Sequence, residues 1–184
     1  MNKAQKKEMT IFVIVGMQAS GKNLARIFAE SNHIPYFATG DIVRDEINKR
    51  GLKPDANNTA TLSTELRCND GLGLTRGALS SALSSESAVV FMEGMRSLPE
   101  IELIKGKAIC VLVAFVAPKY LRLQRIISRR RPDDSPDAFE KRDQREIEYG
   151  AAAPIALADE YILNTGAIED SVNELRKIVE KYTL

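Results

Sequence analysis

Gly16-Met17-Gln18-Ala19-Ser20-Gly21-Lys22-Asn23 is the stretch that decides the fold. It follows directly on an apolar run, Ile11-Phe12-Val13-Ile14-Val15, and opens into an amphipathic segment, Leu24-Ala25-Arg26-Ile27-Phe28. Strand, glycine loop, helix is the setting of a phosphate-binding loop. Glycines let the chain turn so that successive backbone N–H groups converge on one anion. The helix behind the loop aims its positive end and its unpaired N–H groups at the same place. Lys22 adds a mobile positive charge. The G-x4-G-K spacing is met in full, but Asn23 stands where a Ser or Thr usually supplies a hydroxyl to magnesium.

Outward from this loop, apolar runs alternate with helical patterns. Strands are expected at Thr10–Val15, Tyr36–Ala38, Ala88–Met92, Ala108–Val116 and Glu160–Leu163. Helices are expected near 21–31, 41–50, 59–70, 73–84, 98–105, 118–131, 136–149 and 168–182. Several strands are unbroken Val/Ile/Leu/Phe runs, as in a parallel sheet covered on both faces. The class is α/β in three layers, and the 184 residues suit a single domain. Ser97 and Glu100 have capping-box spacing. Pro118 and Pro136 stand where helices can begin, and Gly51 and Gly150 where they close. Segment 52–87 holds two helical patterns and no strand. Region 41–85 is therefore expected to form an acceptor-binding insertion at the carboxyl ends of the strands, where open α/β sheets bind ligands. The plainer alternative is extra packing on the sheet face.

Chemistry-bearing residues follow three of the strands. After the second strand come Thr39, Gly40, Asp41 and Arg44. Arg44 suits a bidentate grip on phosphate. Asp41 is either a helix cap or a reactive carboxylate. After the third strand, Glu93-Gly94-Met95-Arg96 places a carboxylate where a magnesium-holding acid belongs, and Arg96 within reach of an acceptor phosphate. The last strand runs into Asn164-Thr165-Gly166, a turn able to sit beside a nucleotide base. Lys119, Arg122, Arg125, Arg129, Arg130 and Arg131 crowd one segment without an acidic residue, and Arg142 and Arg145 follow on the next helix. A turn of arginines suits a lid over 129–142 that brings positive charge to arriving phosphates. Seven acids between 133 and 148 also allow a plain salt-bridged helix pair.

Composition removes other classes. The net charge of +1 gives no global pull toward nucleic acid or anionic membrane. No apolar run reaches the ~20 residues of a membrane span, and residues 1–8 read as a polar tail, so a cytoplasmic protein is expected. His33 is the sole histidine, which excludes a histidine metal cluster. Cys68 and Cys110 make no disulfide framework, and Cys110 reads as a buried small hydrophobe.

The loop 16–22, Thr39-Gly40-Asp41 with Arg44, Glu93-Gly94-Met95-Arg96, the arginine-rich turn, and Ala158-Asp159 with Asn164-Thr165-Gly166 occur in that order. This order resembles the adenylate kinase and dephospho-CoA kinase branch of P-loop kinases, and more closely an archaeal group of adenylate-kinase-related proteins. The resemblance implies a five-stranded parallel sheet in the order 2-3-1-4-5, with a helical flap and a lid. It implies an ATP-dependent phosphotransferase, using ATP or another NTP with Mg2+, that acts on a small nucleotide acceptor. The donor would be held by Gly16, Met17, Gln18, Ala19, Ser20, Gly21, Lys22, Asn23, Leu24, Asn164 and Gly166. The acceptor would be held by Thr39, Gly40, Arg44 and Arg96, and the metal by Glu93. Lys22, Arg96, Arg129, Arg131, Arg142 and Asp41 would act in catalysis. Three functions remain open at this point: transfer to a nucleoside monophosphate, transfer to a hydroxyl with Asp41 as base, and a slow NTPase switch.

Overall fold

A computed structural model describes residues 8–131 and 134–183; most of the expected polar tail and two residues of the expected lid lie outside them. The chain runs β1 (Thr10–Val15), α1 (Asn23–Ser31), β2 (Tyr36–Ala38), α2 (Thr39–Lys49), α3 (Ala56–Leu66), α4 (Gly73–Ser84) and β3 (Val89–Glu93). It continues with α5 (Leu98–Lys105), β4 (Ile109–Val116), α6 (Lys119–Ser128), α7 (Pro136–Glu148), α8 (Ala152–Ala156), β5 (Glu160–Leu163) and α9 (Ile168–Thr183). The five strands form one parallel sheet in the order β2-β3-β1-β4-β5, as the resemblance implies.

β1 is central and buried along its whole length, which is why its sequence is a continuous apolar run. Its side chains alternate between two cores. Ile11, Val13 and Val15 pack with Ala78, Leu79 and Ala82 of α4 and Ile101 and Ile104 of α5. Phe12 and Ile14 pack with Ala25, Phe28 and Ala29 of α1 and Leu175 and Ile178 of α9. A small third cluster, Val43, Ile47, Leu62 and Leu74, joins α2, α3 and α4. Region 41–85 thus has two characters: α4 is part of the main core, while α2 and α3 are held chiefly by their own cluster.

Register brings the chemistry to one edge. Ile14 lies beside Glu93, Ala38 beside Glu93, and Val116 beside Leu163. The loops after β1, β2, β3 and β5 therefore leave the sheet as neighbours.

Several boundaries differ from the sequence reading. α2 starts at Thr39, with Ala38 at its N-cap, so Asp41 lies in the first turn and is not the cap. α3 spans Ala56–Leu66 instead of 59–70, because the Asp55 side chain accepts the Asn58 N–H and starts the helix early. α6 ends at Ser128, and Arg130 turns left-handed at φ 53°. Short α8 was not expected. The Ser97 hydroxyl caps no N–H; it donates to Glu100, which also accepts the Arg96 N–H. Burial pushes the Cys110 thiol up to about 12, in keeping with a small apolar role. No helix among the described residues is long and apolar enough to cross a membrane.

Candidate active site

The loop after β1 is strained and tied down. Gly16, Ala19 and Gly21 all have positive φ, at 146°, 56° and 115°. A Cβ on Gly16 would fall 2.4 Å from the Phe115 carbonyl oxygen, and one on Gly21 would fall 2.0 Å from Asn164 Nδ2. Only glycine meets both demands. Three successive carbonyls are then engaged from outside. Gln18 O accepts from Arg122 at 3.2 Å, Ala19 O from Arg125 at 3.1 Å, and Ser20 O from Asn164 Nδ2 at 2.9 Å.

Each tether is itself anchored. Arg122 makes a two-pronged, buried pair with Asp143 of α7 at 2.8 and 2.7 Å. Gln18 Nε2 donates to the same carboxylate at 2.9 Å and to the Phe139 carbonyl at 2.7 Å. Arg125 donates to the Asn164 carbonyl at 2.9 Å, and Ser171 donates to Asn164 Oδ1 at 3.2 Å. Burial resists ionisation of Asp143, but hydrogen bonds from Arg122 and Gln18 outweigh it and hold the carboxyl below its usual range. The Ser20 N–H turns back to the Met17 carbonyl at 3.2 Å, and with the carbonyls secured the other loop amides are left to offer an anion.

Lys22 Nζ donates to the Gly16 and Met17 carbonyls at 2.7 and 3.1 Å. Burial lowers its pKa, while Glu93 and Glu146 pull the other way. Beside the loop is a chamber of about 410 Å³ bordered by Ala19, Gly21, Lys22, Asn23, Leu24, Glu93, Arg125, Arg129, Asn164, Gly166 and Ile168. The expected donor residues at both ends of the chain thus meet at one chamber.

Glu93 sits at the junction of three cavities. Tyr36 donates its hydroxyl to Glu93 Oε2 at 2.7 Å. Burial, then the charge of Glu93, pushes the Tyr36 pKa far up, so the phenol keeps its proton and its donor role. The narrowest cavity, about 180 Å³, is bordered by Gly16, Gln18, Lys22, Glu93, Arg96 and Glu146 among others. Among the described residues no three His, Cys, Asp or Glu side chains cluster as a metal site. A single carboxylate fits magnesium nonetheless, because that ion commonly takes one or two carboxylates and completes its shell with phosphates and water.

On the far side of Glu93 a third chamber, about 240 Å³, is bordered by Thr39, Gly40, Arg26, Arg44, Arg67 and Arg96 together with Thr59 and Ser63 of α3. The four guanidiniums are all held. Arg26 and Arg44 both pair with Asp41. Arg67 pairs with buried Glu100 at 3.1 Å. Arg96 pairs with Glu146 at 2.8 Å and lies over the Tyr149 ring, 5.2 Å from its centroid. Burial works against ionised Asp41, but Arg26 and Arg44 prevail and lower its pKa.

The structure therefore brings Thr39, Gly40, Arg44 and Arg96 to one chamber, and Ala19, Gly21, Lys22, Asn23, Leu24, Asn164 and Gly166 to another, with Glu93 bordering both; Gly16 and Gln18 border the narrowest cavity, and Ser20 is buried. Met17 contributes its carbonyl to Lys22 and otherwise borders a separate surface groove. The arginines of the expected lid are placed differently. Arg129 and Arg142 both pair with Asp134, at 2.6 and 3.0 Å, and of Arg129, Arg131 and Arg142 only Arg129 borders the chamber beside the loop. Arg131 is exposed and donates a backbone N–H to Asp134. Arg122 and Arg125 are loop tethers. Sequence reasoning missed Arg26, Tyr36, Arg67 and Glu146; only Arg26 carried a local signal, one helical turn beyond Lys22.

No family model matches the chain. Two solved kinases share its fold. A shikimate kinase from Acinetobacter baumannii, in complex with shikimate, superposes with a TM-score of 0.56 at 19% identity, covering 99% of this chain and 98% of that one. A dephospho-CoA kinase from Campylobacter jejuni gives 0.57 at 18%, covering 94% and 97%. Sequence likeness is higher elsewhere. A UPF0200 protein from Methanosarcina mazei is 33% identical over 180 residues, covering 95% of this chain and 96% of that protein. An archaeal relationship was expected, and at this identity over nearly the full length of both chains the protein belongs to the UPF0200 family.

Proposed function

We propose that the protein transfers the γ-phosphoryl group of ATP, or another NTP, to a small acceptor that already carries a phosphate, as a nucleoside monophosphate does. The observation that carries this reading is the arrangement of two chambers that meet at Glu93, with Lys22 bordering the first and four arginines bordering the second. Phosphoryl transfer asks for in-line placement and for positive charge on the equatorial oxygens, with little covalent chemistry from the protein.

The loop amides and Lys22 would grip the donor's phosphates. The base would lie toward Asn164 and Gly166. Glu93 would hold magnesium directly or through water, and the ion would supply neutralisation of phosphate charge. Thr39, Gly40, Arg44 and Arg96 would seat the acceptor, with Arg26 and Arg67 behind them. Arg129 is the lid arginine placed to reach the donor, but Arg129 and Arg142 would serve only after Asp134 releases their guanidiniums; Arg131, tied to Asp134 by its backbone alone, lies outside the chamber lining.

Asp41 supports the phosphate acceptor over a hydroxyl one. A general base works best with a pKa near the operating pH. Asp41 is shifted the opposite way by two arginines, and its carboxylate is engaged by both. A second reading, a slow NTPase without acceptor, draws support from Asn23, which removes the usual magnesium hydroxyl. The test is to follow the label of γ-labelled ATP across a panel of nucleoside monophosphates and hydroxyl acceptors. Label on a monophosphate is expected. Label on a hydroxyl acceptor, or release only as inorganic phosphate, would overturn the reading.

A further inference from the structure

Glu146 enters the narrow cavity from α7 and has no place in the reaction described above. It borders that cavity together with Lys22, Glu93 and Arg96. The charged groups there balance as two cations and two carboxylates. A triphosphate and an acceptor phosphate bring several more negative charges into the same space. Magnesium accounts for one carboxylate, Glu93. The other is then a source of repulsion unless it yields its partner.

The partner is Arg96, whose Nε lies 2.8 Å from Glu146 Oε2 in an ion pair. Arg96 is placed independently of that contact. Its backbone N–H donates to Glu100 at 2.8 Å, and its guanidinium lies over Tyr149. Tyr149 also lies under Arg67, whose centre is 5.7 Å from the ring centroid. Removing Glu146 would therefore free the charge of Arg96 from its ion pair and leave the arginine in position.

We propose that Glu146 is a positioning residue that stands in for the acceptor's phosphate, occupying Arg96 in the empty cleft and giving it up on acceptor entry. The proposal rests on the phosphate-acceptor reading and adds to it a competition that lowers acceptor affinity. Occupancy of a binding group by an internal partner reduces apparent affinity by the fraction of time the group is free. The pair is half-buried, with about a quarter of each side chain exposed. An ion pair of that kind is worth roughly 1 kcal/mol, so its loss should tighten acceptor binding about three- to ten-fold.

A purely structural Glu146 makes the opposite prediction, because loss of an aligning partner weakens binding. The experiment is calorimetry on the full chain and on its Glu146→Gln and Arg96→Ala variants, with Mg2+ and a non-hydrolysable ATP analogue present. The probes are AMP, GMP, CMP, UMP and orthophosphate, and melting of the empty protein is recorded alongside. Glu146→Gln should bind a monophosphate more tightly and melt slightly lower, two changes of opposite sense. If a monophosphate binds the parent protein and Arg96→Ala weakens it, but Glu146→Gln leaves it unchanged or weaker, the stand-in role is wrong and the acceptor reading survives. If no monophosphate binds any form, yet orthophosphate binds Glu146→Gln more tightly than the parent, the acceptor reading fails and the stand-in role survives. Absence of binding by every probe to every form overturns both.

Discussion

The two sides of the cleft are built from the same residue types and held in opposite ways. On the donor side, Arg122, Arg125 and Asn164 grip backbone carbonyls of the loop, and Arg122 is locked into a buried pair with Asp143. On the acceptor side, Arg44 and Arg96 border a solvent-reached chamber and pair with the carboxylates of Asp41 and Glu146. Buried tethers to carbonyls have no competitor when a ligand arrives. Carboxylate partners of an arginine are exchanged readily for phosphate, which offers the same planar fork more charge. The difference teaches that arginine count alone does not identify the catalytic arginines. What matters is whether each one's present partner can be replaced by substrate.

Changes to the donor side should have the largest effects. Lys22→Ala should lower turnover about 10²–10³-fold, the usual scale for removing one preorganised charge stabiliser, as read from kcat under saturating ATP. Next come the tethers. Arg122→Ala leaves the buried Asp143 carboxylate without its cation and with only the Gln18 amide against it, and should cost about 3–5 kcal/mol of stability by denaturant unfolding. A loss under about 1 kcal/mol would show that the loop is not held in this way.

Asp143 also gives a pH signature. Its folded pKa is lowered, so its stabilisation is fully present above the unfolded value, about 3.9. It is lost as pH falls through the folded value. Asp143→Asn should therefore flatten the acid limb of the stability profile and leave the neutral limb's slope unchanged.

Acceptor-side changes should be smaller and appear in a different parameter. Arg44→Ala should raise acceptor KM about ten-fold through loss of one charge-assisted contact worth ~1.5 kcal/mol, with kcat little changed. Asp41→Asn should be mildest, within about three-fold in either parameter, since an exposed ion pair contributes ~1 kcal/mol or less. Abolished turnover in Asp41→Asn would reverse the contrast between the two sides and point to a hydroxyl acceptor.

Much of this was legible in the sequence because the signals are local. Gly16 to Lys22 lie within seven residues, and Glu93-Gly94 and Asn164-Thr165-Gly166 each close an apolar run. The sheet order followed from the family likeness and not from periodicity. What stayed hidden depends on partners distant in sequence. Nothing near Arg122 or Arg125 reveals that they reach back to Gln18 and Ala19, more than a hundred residues away. Glu146 looks in sequence like one of seven acids between 133 and 148, and only the packing of α7 sets it against Arg96. Short α8, mostly alanine, lacks the caps and the length that betray a helix. Asp55 was a readable signal, an Asp before a helical run, absorbed instead into the preceding connector.

The central claim is that a donor chamber bordered by Lys22 and an acceptor chamber meet at Glu93 and open to the same reaction point. Its most direct measurement is calorimetric binding of a bisubstrate probe, two nucleosides joined by five phosphates, against ADP alone. A ligand filling both chambers gains from linkage, so binding ~10²-fold tighter or better than ADP is expected, with the gain lost in Arg96→Ala. Equal affinity for the probe and for ADP, or a gain indifferent to Arg96, would contradict the account.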